Sequence, residues 1–197
     1  MDKIEKVLAP FANALNNNKI IQTISKALMS LMPALMIGAI GSLLQQIPIP
    51  AYQNFIQSTG IYAFTQVLVN VTTNMLALYA AFAISYVFVK NEGYEGLNAG
   101  VLAAVTFILT TDSFVVTESG EIVSNVINKT WTAGQGMISA IIIGLLVGWI
   151  YSWFMKNDIR IKMPAGVPEG VANSFTALIP GFVIVTGATL IYFFFKF

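Results

Sequence analysis

Histidine and cysteine are both missing from this chain of 197 residues. Without cysteine there is no disulfide, no thiolate metal site and no cysteine nucleophile. Without histidine the commonest metal ligand, the usual proton shuttle and the usual phosphoacceptor ring are gone. Charge is scarce too: Asp, Glu, Lys and Arg supply 10% of the residues, against about 25% in an average soluble domain. The net charge is +1, and no basic stripe exists to neutralise a run of phosphates, so nucleic acid is not a partner. No phosphate-cradling glycine loop of the Walker type occurs. No carboxylate lies inside an apolar run as a proton or sodium relay. These absences leave no catalytic residue, no cofactor site and no metal site to name.

What is present is apolar. Hydrophobic residues make up 56% of the chain, and so few charges cannot cover the surface of a soluble fold of this size. Lipid is the natural solvent. Met1–Asn18 carries Asp2 and Glu5 and has no long apolar core, so it is not a cleavable signal peptide. Ile4, Val7, Leu8, Phe11 and Leu15 recur at helical spacing. Residues 1–18 are therefore expected to form an interfacial amphipathic helix, with Lys3 and Lys6 toward anionic headgroups. A soluble helix packed on a partner fits the same pattern, and Pro10 should kink either one.

Five apolar segments follow, at about 24–47, 61–89, 96–111, 136–155 and 175–195. Crossing a bilayer takes roughly 20 residues. The second segment is long enough to tilt or bend, and the third is short. The expected fold is an all-α membrane protein: a single transmembrane domain over 1–197, with five transmembrane helices, the amino-terminal helix and short β-like loops. With a cytoplasmic N-terminus, Lys3, Lys6, Lys19, Lys26, Lys90, Lys156, Arg160 and Lys162 fall inside, and only Lys129 and Lys196 outside. That bias fits the positive-inside rule. Ser113–Ile127 alternates around Ser119-Gly120 like an exposed hairpin, and Ile159–Lys162 alternates like a strand. Pro164 and Pro168 then break the chain before a helix at Glu169–Phe175.

Three motifs invite a role. Ala140, Gly144 and Gly148 form a small-residue face that suits either a homodimer contact or packing within one bundle. Asn70, Thr72, Thr73 and Asn74 put a polar band inside the second segment. Asn70 and Asn74 are the candidates for meeting a hydroxyl-rich substrate, with hydrogen bonding between helices as the alternative. Pro33 and Pro180 mark kinks. Glu118 and Glu121 sit in a polar loop and read as a solvated face. Asp112 ends a span, where it can cap a turn.

The stretch Ile161–Pro180, IKMPAGVPEGVANSFTALIP, resembles a signature segment of the lactose/cellobiose-type enzyme IIC permeases of the phosphotransferase system. The opening, with Leu8-Ala-Pro10 and then Ile24–Met36 running into the first span, resembles the same family. The resemblance implies a membrane-embedded N-terminal half of a sugar permease, placed in the bacterial cytoplasmic membrane. Its substrate would be a disaccharide such as cellobiose, lactose or chitobiose. Members are about twice this length, and their first five helices form the dimer interface. Their second half holds most of the sugar site, including a His and a Glu near the phosphorylated hydroxyl. This sequence has no His, so no catalytic residue is carried over and the chain is expected to be a split or shortened permease. Asn173, Ser174 and Phe175 match the motif and imply helix packing. The resemblance also implies an enzyme IIB partner, which donates the phosphoryl group after being charged by enzyme IIA. Two other functions compete: a stand-alone membrane scaffold without transport, and a small homo-oligomeric transporter.

Overall fold

The computed structural model describes residues 18–117, 119–164 and 166–196. The expected interfacial helix over 1–18 lies outside them except for Asn18, and so does Glu118. Asn18 opens the first described helix, α1 (Lys19–Ser30), because its side-chain oxygen accepts from the backbone N–H groups of Ile20 and Ile21. Helix α2 (Met32–Gln45) follows at once but is bent by 51° from α1. Pro33 lies just beyond the bend; it has no N–H to give to the carbonyl four residues back, and its ring crowds that carbonyl. The first apolar segment thus arrives as two helices.

Pro50 starts the short α3 (Pro50–Ser58), and Gly60, at φ +77°, turns the chain into α4 (Ile61–Val71). A single 3-10 turn, Thr73–Met75, separates α4 from α5 (Leu76–Asn91). The apolar run Ile61–Asn91 is 31 residues long and takes this break in its middle. Helix α6 (Leu97–Thr110) has 14 residues. At 1.5 Å per residue it reaches about 21 Å, short of a roughly 30 Å hydrocarbon core. Strands β1 (Phe114–Val116) and β2 (Ile122–Ser124) pair antiparallel around Gly120, as the alternation requires. One turn of helix, α7 (Lys129–Thr132), and a 3-10 turn, Gly134–Gly136, lead into α8 (Met137–Lys156). Helix α9 (Glu169–Thr176) and helix α10 (Leu178–Lys196) come last among the described residues. Ile159–Lys162 forms no strand. Lys162 and Arg160 both turn onto Asp158 instead, closing a tight loop.

Among the described residues three helical stretches are long and apolar enough to cross a membrane: Ile61–Asn91, Gly134–Lys156 and Glu169–Phe195. The bent α1–α2 pair makes a fourth if it counts as one span, and α6 is a shorter apolar helix. The architecture is an all-α membrane bundle.

Helix α5 is the hub. It packs against α1, α6 and α8, while α10 lies on α6 and α2 lies on α4. The centre is built of small side chains: Ala77, Ala80, Ala81 and Ala83 of α5, Ala27 of α1 and Ala140 of α8. Large apolar side chains point outward, with Met36 62%, Phe64 66% and Phe182 73% exposed. Water would reject that surface. Lipid does not, and in lipid close backbone approach replaces the hydrophobic effect as the force between helices.

Candidate functional site

The break at Thr73–Met75 gathers the polar residues of the second segment. Thr72 ends α4 by spending its hydroxyl on the carbonyl of Leu68, 2.6 Å away. Gly38 of α2 presses against the Thr72 and Thr73 hydroxyls, where a side chain would collide. The two threonines therefore face α2, and the amides face elsewhere. Asn70 and Asn74, one turn apart, share a face. Asn74 Nδ2 donates to Asn70 Oδ1 at 2.9 Å, and Gln66 Nε2 donates to the same oxygen at 3.3 Å. Tyr79 bridges the break from the other side, its hydroxyl 2.7 Å from the Val71 carbonyl. The Thr132 hydroxyl donates to the Asn74 carbonyl at 2.7 Å and so docks α7 onto the break.

An open cavity of about 530 Å3 lies there, lined by Asn74, Lys129, Thr130, Ala133, Gly134 and Gln135. Its polar groups are an amide pair, a hydroxyl and an ammonium, which suit a hydroxyl-rich or weakly anionic solute. Asn74 reaches this cavity. Asn70 stands behind it as the acceptor that orients the Asn74 amide. Lys129, Thr130 and Gln135 were not legible as site residues. Lys129 and Thr130 sit on α7, and the Gly134-Gln135-Gly136 turn that seats Gln135 reads in sequence only as a span boundary.

A second cavity of about 370 Å3 opens on the far side of α7, between the hairpin-side ends of α6 and α8. Thr110, Thr111, Asp112, Trp131 and Ser139 supply its polar edge, and Phe107, Ile142 and Ile143 its apolar floor.

The face of Ala140, Gly144 and Gly148 is filled within the chain. A Cβ on Gly144 would lie 2.9 Å from the Ala81 carbonyl oxygen, and one on Gly148 would lie 2.9 Å from Phe88 Cβ. Helix α5 occupies this seam.

The opposite end of the bundle collects the cations. Lys19 Nζ meets Glu92 Oε1 at 2.5 Å, which sets the start of α1 beside the end of α5. Lys90, Lys156, Arg160 and Lys162 lie at the same end, because α5 and α8 run parallel. Lys162 and Arg160 hold the Asp158 carboxyl below its usual range by hydrogen bonding. Asn98 Nδ2 donates to the Asn173 carbonyl at 2.9 Å, tying α9 to α6, and the Ser174 hydroxyl donates to the Gly170 carbonyl. The three motif residues Asn173, Ser174 and Phe175 thus sit in the helix that leads into α10.

A family model described as the phosphotransferase system, EIIC, matches residues 25–197. The chain belongs to this EIIC family. It is 32% identical over 191 residues to the oligo-beta-mannoside-specific EIIC component of Bacillus subtilis (strain 168), covering 96% of this chain and 43% of that protein. It is 31% identical over 190 residues to the cellobiose-specific EIIC component of Geobacillus stearothermophilus, covering 92% of this chain and 42% of that one. Among solved structures it is similar to ChbC, the IIC transporter component of the N,N'-diacetylchitobiose-specific phosphotransferase system. The TM-score is 0.87 at 33% identity, over 98% of this chain and 46% of that chain. The chain therefore spans a little under half the length of the EIIC relatives it matches.

Proposed function

We propose that this chain is the membrane-embedded N-terminal scaffold half of a phosphotransferase-system sugar permease, handling a disaccharide of the cellobiose, lactose or chitobiose kind. The likeness to the chitobiose transporter over almost the whole chain carries the reading. In it the chain crosses the bacterial cytoplasmic membrane five times as one domain, with α6 as the short third span. The Lys19 end faces the cytoplasm, where Lys90, Lys156, Arg160 and Lys162 meet an enzyme IIB partner. The hairpin end faces outward. Two copies pair through a face other than Ala140–Gly148, which is already spent on α5.

The chemistry of such a system is a phosphoryl transfer from the partner to a sugar hydroxyl, and it depends on in-line positioning. No side chain of this chain is cast as acid, base or nucleophile. Its contribution is to hold the solute path: Asn74, oriented by Asn70, presents an amide to sugar hydroxyls at the break in the long span.

Sugar uptake in a strain stripped of its own permeases tests the reading. Uptake of cellobiose or chitobiose is expected only when the chain is co-produced with the C-terminal half of a cellobiose-specific EIIC. Uptake by the chain alone would replace the scaffold half with a complete small transporter. No uptake in either case would leave a membrane scaffold that transports nothing.

A further inference from the structure

We infer that the cavity between the ends of α6 and α8 is a second carbohydrate site, one that captures a neutral sugar at the hairpin end before transport. The ligand class rests on the permease reading; the site itself rests on its own geometry. Three kinds of group converge on about 370 Å3, enough for a small ligand. Asp112 offers a carboxylate, which accepts from two neighbouring hydroxyls at once. Trp131 offers an indole 46% exposed, the flat apolar surface on which the C–H face of a pyranose stacks, with an N–H donor at its edge. Thr110 and Thr111 both donate their hydroxyl protons to the Phe107 carbonyl, at 2.9 and 2.8 Å, so their oxygens are left to accept.

These groups are not otherwise spent. Among the described residues no ion pair or hydrogen bond engages the Asp112 carboxylate, the Ser139 hydroxyl or the Trp131 indole N–H. The platform is also held in place. Gly136 lies so close to the Trp131 carbonyl that any side chain there would strike it, and a Cβ would stand 3.3 Å from Phe107 Cζ. The 3-10 turn and α7 are thereby clamped over the cavity floor. Among the described residues no cation lines this cavity; Lys129 lines the neighbouring one. A lone carboxylate repels a phosphorylated sugar and accepts a free one, which is the form that reaches the permease from outside.

The chain contains three tryptophans, so Trp149→Phe with Trp153→Phe leaves Trp131 as the sole indole reporter. The full chain carrying both changes, reconstituted in nanodiscs, is titrated with cellobiose, cellobiose phosphate and glycerol. A saturable change in Trp131 fluorescence is expected with cellobiose alone. Asp112→Asn should weaken it about tenfold, since hydrogen bonds to a charged group carry the larger share of such recognition. If Asp112→Asn does not elute like its parent, Thr111→Val takes its place, with a loss of about threefold. No saturable change, an equal response to the phosphate or glycerol, or an unchanged affinity in the variant that folds would each overturn the inference. Binding without uptake in the complementation test would remove the permease reading and keep the site. Uptake without a Trp131 response would do the reverse.

Discussion

Helices α5 and α8 meet by bringing backbones together; the arm made of α2, α3 and α4 holds itself together with side-chain amides. In the first region Gly144 and Gly148 leave no room for a Cβ against Ala81 and Phe88. Polar contacts are few around α5; one is the Ser85 hydroxyl on the Ala99 carbonyl at 3.0 Å, between α5 and α6. In the arm, Gln45 Nε2 reaches the Thr65 hydroxyl at 2.9 Å, Gln53 donates to the carbonyls of Gln45 and Ile47, and Tyr52 donates to that of Leu44. The arm has less partner surface to use. It joins the hub mainly through the bend at Leu31 and the turn at Thr73–Met75, and its outer faces point away from the bundle. Gly38 and Gly41 bring α2 close to α4 as well, but in the arm this contact is joined by hydrogen bonds that hydrocarbon cannot supply.

The largest test of that difference is at the seam. Gly144→Leu forces a branched side chain between α5 and α8, and overpacking a tight core costs about 1–3 kcal/mol or more. Thermal unfolding in detergent should lose its cooperative transition or shift strongly down. Ile40→Ala, at an arm position 58% exposed, trims a side chain from an outward-facing surface, and should move the transition little. Equal shifts in the two variants would end the contrast between a packed seam and an open arm.

Much of this was legible beforehand. The apolar segments, the hairpin around Gly120 and the helix from Glu169 follow from periodicity and turn residues, and Pro33 announces a bend. The break at Thr73–Met75 was not announced as one. No proline or glycine marks it; it arises because Thr72 bonds its own helix at Leu68 while Gly38 admits the threonine pair from across the arm. That is a tertiary event, which no local pattern contains. The second cavity escaped for the same reason. Asp112 and Trp131 are far apart in sequence; Asp112 reads only as a span end, and no pattern singles out Trp131. Only the fold of α7 back over α6 and α8 sets them at one opening.

A smaller effect is expected where the break meets α7. Thr132 is fully buried, and Thr132→Val keeps its shape while removing the donor to the Asn74 carbonyl. The loss should be about 1 kcal/mol, the usual net value of such a bond. In the arm, Gln45→Leu removes the link to Thr65 and should cost about 0.6 kcal/mol, near the average for interhelical bonds in membranes. Chemical denaturation of the purified chain ranks the two. If the arm variant proves the costlier, the amides matter more than the seam comparison allows.

The smallest effect lies outside both regions, in the loop after α8. Lys162 first, then Arg160, depress the Asp158 carboxyl in the folded chain. A depressed carboxyl stabilises the loop at all pH values above its unfolded value, about 3.9, and that contribution fades as pH falls through the folded value. Nothing should change between pH 7 and pH 5. Below about pH 4 the Arg160 Nε resonance in an NMR titration should begin to move, with a midpoint under the ordinary carboxylate value. Asp158→Asn should remove the step. Because the pair is exposed, high salt should also flatten it. A midpoint at or above the ordinary value would mean that Lys162 and Arg160 are solvated by water rather than held by Asp158, and that backbone bonds such as Ile159 N–H to the Phe154 carbonyl order this loop without them.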